Sequence, residues 1–171
     1  LSAESAVGDY PVEAVAMMDR IVRQGERDPL YDVLVRTDTT SPDATAADAI
    51  TAAARQVAET LNAAAVVTFT TSGSTTLRAA RERPQVRAII GLTTKIETAR
   101  RLALVWGVHS VEAEDAHDFA DMVKRASEVA RNEGIASDGD RLVITAGAPF
   151  GTPGMTNVLR IAWVGDTVDR M

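Results

Sequence analysis

Six of the seven residues at positions 70–76, TTSGSTT, carry a hydroxyl, and the seventh is Gly73. Hydroxyls donate hydrogen bonds to anions, and glycine lets the backbone approach a ligand closely. An apolar run precedes this stretch and a basic helical pattern follows it, so it joins a strand to a helix N-terminus. Unpaired amides and the helix dipole favour negative charge there. Thr70, Ser72, Ser74 and Thr75 are placed to donate, and Thr71 and Gly73 complete a phosphate-sized cradle. The competing reading is a capped turn, because Ser and Thr also cap helices. A second stretch, GAPFGTPG at 147–154, leaves another apolar run and supplies Gly147, Ala148, Pro149, Gly151 and Gly154. If its strand neighbours the first, one ligand touches both loops. Otherwise it is a flexible hairpin connection.

Catalytic patterns do not assemble around these loops. The chain has no GxxxxGK[ST], no GxGxxG and no GxSxG. His109 and His117 fall on a strand and at a helix start, away from any carboxylate constellation. Glu112, Glu114, Asp115 and Asp118 gather at a helix N-terminus, where carboxylates stabilise the dipole. Trp106 and Trp163 read as packing residues. The sequence therefore predicts no catalytic residue and no metal ligand set.

Composition narrows the partners. The chain has 171 residues, a formal charge of −6, 4% aromatics and no cysteine. Disulfides, thiol nucleophiles and thiolate metal sites are excluded. A negative net charge opposes nucleic-acid binding, which needs a basic footprint. No apolar run approaches the ~20 residues of a membrane span. The expectation is a soluble, cytoplasmic domain that binds neither nucleic acid nor membrane.

The elements that must position the two loops follow from periodicity. Apolar runs at 65–69, 87–92, 108–112, 141–146 and 158–164 have strand length. Helical patterns separate the first four: one after Ser74 to Arg83 with Leu77 and Ala80 inward, one opened by a capping box at 94–97 and reaching about Trp106, and one within 115–133. Strands alternating with helices predict a parallel sheet covered on both faces. Only a Gly- and Pro-rich segment separates the last two strands, so the final strand is expected antiparallel. Before the sheet, an Ala-rich helix over about 46–61 carries Ala46, Ile50, Ala53, Ala54, Val57 and Leu61 on one stripe. Earlier still, Pro11 starts a helix with Ala14, Val15, Met18, Ile21 and Val22 as its apolar stripe. A break at 25–29, a short helical piece near 31–35 and a polar loop at 37–45 follow. The fold class is thus α/β: a three-layer sandwich with a five-stranded, mostly parallel sheet, preceded by a leftover helix. The domains are residues 1–28, the tail of another unit, and residues 29–171.

The opening LSAESAVGDYPVEAVAMM at 1–18 resembles a signature of pyruvate kinases, LSGETAxGxYPxEAVxxM, departing at Ala3 and Ser5. The resemblance continues through TFTTSGSTT, RPQVRAIIGLTT, RRLALVWGVHSVEA and GDRLVITAGAPFGTPGMTN, in order, to about Val164. It implies that residues 1–28 are the last strand end and helix of a (β/α)8 catalytic barrel, and that 29–171 form the C-terminal regulatory domain. The parent enzyme, a glycolytic transferase, phosphorylates ADP with phosphoenolpyruvate to give pyruvate and ATP, using magnesium and potassium. Its catalytic and metal-binding residues lie in the part of the barrel that does not match here. The resemblance further implies a tetramer, a cytoplasmic enzyme and an allosteric effector whose phosphate sits at Thr70, Thr71, Ser72, Gly73, Ser74 and Thr75. Thr71 and Ser74 stand where members responsive to fructose 1,6-bisphosphate carry lysine and arginine, which favours AMP or a sugar monophosphate. The loop 146–154 matches the effector-closing loop. A second reading, a stand-alone phosphate-binding or assembly module, stays open.

Overall fold

The computed structural model describes residues 2–31, 33, 43–152 and 154–165. The chain divides into two compact units, Leu1–Thr40 and Ser41–Met171, whereas the sequence pattern draws its boundary at residue 28. The first unit holds α1 (Ala3–Ala6) and α2 (Pro11–Glu26). Pro11 occupies the first turn of α2, where its missing N–H costs nothing. This helix continues through Gly25, past the expected break, until Arg27 donates to the Gln24 carbonyl. The single turn α1 follows Ser2, and Leu1, where a strand is expected to end, lies outside the described residues. No residue of α2 is buried, and Val12, Val15, Ile21 and Val22 are exposed. Most of the expected helical piece at 31–35 and of the polar loop lies outside the described residues.

The second unit runs α3 (Ala46–Leu61), β1 (Ala65–Phe69), α4 (Ser74–Arg81), β2 (Ala88–Thr93), α5 (Ile96–Leu102), β3 (Val108–Glu112), α6 (Phe119–Asn132), β4 (Arg141–Ala146) and β5 (Val158–Trp163). The strands form one sheet in the order β3-β2-β1-β4-β5. Four are parallel, and β5 returns antiparallel to β4, as its short connection requires. Successive residues alternate between faces. Val67, Ile90 and Ile144 meet Met122, Ala126 and Ala130 of α6. Val66, Ile89 and Val143 meet Ala54 and Ala58 of α3 and Ala79 and Ala80 of α4. The result is three layers, with β1 buried along its whole length. Each fully buried Ile or Leu contributes roughly 1.5–3 kcal/mol.

Several helix faces differ from the expected stripes. On α4 the sheet-facing residues are Thr75, Thr76, Ala79 and Ala80, while Leu77 is 47% exposed. Small residues let α4 approach closely: a Cβ on Gly91 of β2 would lie 3.1 Å from Thr76 Cγ2. Glu82 is buried between Arg55 and Arg81. On α3 the buried residues are Asp48, Thr51, Ala54 and Ala58. A carboxylate replaces part of the expected apolar stripe because α4 neutralises it: Arg81 Nη2 lies 2.5 Å and Arg78 Nε 3.5 Å from Asp48 Oδ1. The Thr45 hydroxyl donates to Asp48 Oδ2 at 2.6 Å, and with Arg81 it holds the Asp48 carboxyl below its ordinary pKa against the opposing effect of burial. The capping box does not form. Lys95 is the N-cap of α5 without a side-chain cap bond, and the Lys95 amide donates to Thr93 Oγ1 at 3.3 Å. That helix stops at Leu102, well short of Trp106.

Candidate functional site

The loop after β1 is held from behind by α5. Thr98 Oγ1 donates to the Thr71 carbonyl at 3.1 Å, and Arg101 Nη2 to the Ser72 carbonyl at 2.6 Å. Gly73, the N-cap of α4, has φ +91°, and a Cβ there would sit 3.3 Å from Leu102 Cδ2. Its amide donates to Thr70 Oγ1 at 2.9 Å. With these carbonyls turned to α5, the first amides of α4 stand open. Ser74 N reaches Ser72 Oγ only at 3.5 Å, and the Thr75 and Thr76 amides have no acceptor among the described residues. The six hydroxyls divide by role. Thr76 is buried against Thr68 (2.7 Å) and Thr75 against Thr156 (2.8 Å). Thr70, Thr71, Ser72 and Ser74 line the open side, with the Thr70 hydroxyl accepting from Gly73 and the Ser72 hydroxyl donating to Ser74 Oγ at 3.2 Å.

The loop after β4 is built rather than slack. The Ala148 amide donates to Asn157 Oδ1 at 2.8 Å, and Asn157 Nδ2 to the Ala148 carbonyl at 2.7 Å. The Ala148–Pro149 peptide is cis. Gly147 passes so near Met155 that a Cβ would lie 2.0 Å from the Met155 carbonyl oxygen. Phe150 packs edge-on against Phe119 of α6, with ring centroids 5.2 Å apart.

Because β1 and β4 are neighbours, with Thr68 beside Thr145, the two loops stand side by side. A cavity of about 270 Å³ opens between them, lined by Thr70, Thr71, Ser72, Ser74 and Thr75 from the first and Gly147, Gly151 and Gly154 from the second. Gly73 shapes the loop without lining the cavity. Ala148, clamped by Asn157, and Pro149 are not among the lining residues. Lys95 and Asp115, which the sequence did not nominate, also line it. They follow β2 and β3, so the carboxyl ends of all four parallel strands converge on one space. Their position just beyond a strand end was the available signal, but only the strand order makes it meaningful. Lys95 has no ion pair among the described residues, and Asp115 Oδ1 accepts from the Ala116 amide at 2.9 Å.

Several other titratable groups are structurally occupied. His109 Nε2 lies 2.8 Å from Glu133. Asp118 caps α6, accepting from the Asp121 amide at 2.8 Å. Arg125 contacts Asp121 and Glu114, and its guanidinium is the main reason the Asp121 carboxyl sits below its ordinary pKa. Arg83 lies over the Trp106 ring at 4.3 Å. Among the described residues no group of three His, Asp or Glu could hold a metal ion. The arrangement offers oriented amides and hydroxyls of the kind that suit a small anion.

The architecture is an open α/β sheet with a polar cavity over the carboxyl ends of its parallel strands, the position where open α/β folds hold small ligands. Residues 48–162 match the family model described as pyruvate kinase, alpha/beta domain, and the chain belongs to the pyruvate kinase family. It is 52% identical over 164 residues to a pyruvate kinase from Methylorubrum extorquens, covering 96% of this chain and 34% of that protein. A pyruvate kinase from Geobacillus stearothermophilus is 38% identical, over 97% of this chain and 28% of the relative. The crystal structure of a pyruvate kinase from Cryptosporidium parvum superposes with a TM-score of 0.81 at 28% identity, covering 96% of this chain and 32% of that one. The chain thus spans about a third of the length of the relatives it matches, as their C-terminal portion. No helix among the described residues is long and apolar enough to cross a membrane.

Proposed function

We propose that this chain is the regulatory and oligomerisation part of a pyruvate kinase, without chemistry of its own, and that residues 70–75 hold the phosphate of a sugar phosphate or AMP effector. The observation that carries this reading is the single cavity shared by the loops after β1 and β4. Helix-terminus amides and hydroxyls on one wall suit a phosphate, and the clamped glycine loop on the other suits closure over it. Residues 1–28 would complete the catalytic barrel of the parent enzyme, with the open apolar stripe of α2 (Val15, Met18, Ile21 and Val22) as the face a barrel helix lays on its strands. Phosphoryl transfer from phosphoenolpyruvate to ADP, its magnesium and potassium, the cytoplasmic setting and the tetramer belong to that whole protein.

Calorimetric titration of the chain with AMP, glucose 6-phosphate and ribose 5-phosphate tests the effector reading. Heat of binding is expected with at least one of them, and Ser72→Glu, which puts a carboxylate at the phosphate position, removes it. No heat with any of the three contradicts the reading.

A further inference from the structure

We infer that Arg101 is a positioning residue for the loop at 70–75: it touches no ligand, and it keeps the Ser72–Gly73 peptide from turning its carbonyl into the cavity. What this says of binding rests on the phosphate-loop reading above; what it says of the loop's shape does not.

The backbone between β1 and α4 is sorted by polarity. On entry, the Thr70 amide donates to the Leu92 carbonyl at 2.9 Å. The three carbonyls that follow are all engaged: Thr71 by the Thr98 hydroxyl at 3.1 Å, Ser72 by Arg101 Nη2 at 2.6 Å, and Gly73 by the Leu77 amide at 2.9 Å. The amides of Thr71, Ser72, Thr75 and Thr76 have no acceptor among the described residues. Each peptide carries both a donor and an acceptor, so rotating one peptide plane exchanges the two. Gly73, at φ +91°, has the widest backbone freedom in the loop, which makes the Ser72–Gly73 peptide the one most able to turn over. Arg101 holds its carbonyl end, and Thr70 Oγ1 holds its amide end at 2.9 Å. Turned over, this peptide would set a carbonyl oxygen beside the open amides, where its partial negative charge opposes an anion.

The restraint comes from one face of α5. Thr98, Arg101 and Leu102 stand at i, i+3 and i+4, and each meets the loop. Leu102 Cδ2 lies 3.3 Å from where a Cβ of Gly73 would sit. The helix is itself fixed, with Ser110 Oγ of β3 donating to the Ala99 carbonyl at 2.7 Å. Thr98 and Leu102 are buried and serve the core as well. Arg101 is exposed, has no carboxylate partner among the described residues and does not line the cavity. Its charge-assisted bond to Ser72 can therefore be removed without touching the core or the cavity wall.

Amide nitrogen relaxation, together with titration by ribose 5-phosphate and inorganic phosphate, tests this on the wild-type chain, Arg101→Met and Arg101→Lys. Methionine keeps an unbranched stem and loses the donor; lysine restores a charged donor. Without ligand, the wild-type order parameters of Ser72, Gly73 and Ser74 should stand near about 0.85, and in Arg101→Met they should fall below about 0.6. The melting temperature and the order parameters of β1 and β4 should not change. A loop that is competent about a tenth of the time binds about tenfold more weakly, so both dissociation constants should rise about tenfold. That ratio should be equal at low and high salt, because a cation drawing the phosphate directly is screened and a local hydrogen bond is not. Arg101→Lys should restore the rigid loop and the affinity. Order parameters unchanged in Arg101→Met overturn the inference. So does a mobile loop that binds as tightly as the wild type, or an affinity loss that disappears at high salt, which makes Arg101 a direct partner of the phosphate. In these cases a wild type that binds leaves the phosphate-loop reading standing. A wild type that binds neither probe removes that reading and the positioning role with it.

Discussion

Asp48 shows how a polar residue enters this core. Its carboxyl, nearly inaccessible to solvent, is held ionised by the Thr45 hydroxyl and by Arg81 and Arg78. The folded pKa lies below the ordinary value of 3.8, so its stabilising contribution is present above that value and is lost as pH falls through the folded pKa. Asp121, beside Arg125, and Asp140, bonded by the Ser137 amide and Arg87, share the same direction. Urea midpoints measured downwards from pH 6 should therefore stay level and then fall in the acid range below about pH 4, the ordinary carboxylate range. Asp48→Asn should lower the plateau and make the acid fall shallower; an unchanged acid limb would remove Asp48 from this account. At Gly147 the constraint is steric. Gly147→Ala drives a methyl into the Met155 carbonyl, an overpacking expected to cost about 1–3 kcal/mol by thermal melting and to abolish effector heat. Hydroxyl content at 70–76 was readable from residue types alone. Which hydroxyls are consumed internally was not, because Thr75 and Thr76 find Thr156 and Thr68 only once strands and loops are placed. Lys95 escaped for a related reason, since nothing local distinguishes it from any surface lysine at a helix start.

Among the elements, α4 links the cavity, the sheet and α3. Its N-terminus faces the cavity, its small residues touch the sheet, and its arginines grip α3. The buried Thr75–Thr156 pair ties it to the loop between β4 and β5. Thr75→Val or Thr156→Val alone strands a buried hydroxyl, expected to cost about 1–3 kcal/mol. The double variant should cost less than the sum of the singles, with a coupling of roughly 0.5–3 kcal/mol, since contacting residues are non-additive. Strictly additive urea-unfolding energies would place the two residues in separate environments. The strands were legible almost to the residue, because runs buried on both faces leave little ambiguity about what is inside. Helix faces were less so. The α3 stripe assumed that burial means apolar, and an ion pair reaching over from α4 overrode it. The antiparallel β5 was predictable from its connection, which is short and too rich in Gly and Pro for a crossover helix.

On the scale of the whole molecule, the adjacency of β1 and β4 converts two sequence-distant loops into one site. The sequence left that adjacency open; the order β3-β2-β1-β4-β5 supplies it. Such a site also predicts linkage between ligand and fold. An effector at about 100 times its Kd should stabilise the domain by about 2.7 kcal/mol, visible as a raised Tm, and this gain should vanish in Ser72→Glu. A Tm raised equally in wild type and variant would move the binding elsewhere. The most direct test of the central claim is the amide nuclear magnetic resonance spectrum of the isotope-labelled chain, recorded with and without saturating ribose 5-phosphate. The account predicts the largest shifts at the amides of Ser72, Ser74, Thr75 and Thr76, accompanied by Lys95 and the loop residues Gly147, Gly151 and Gly154. Shifts absent from those positions, or confined to α2 or the β5 edge, would contradict it.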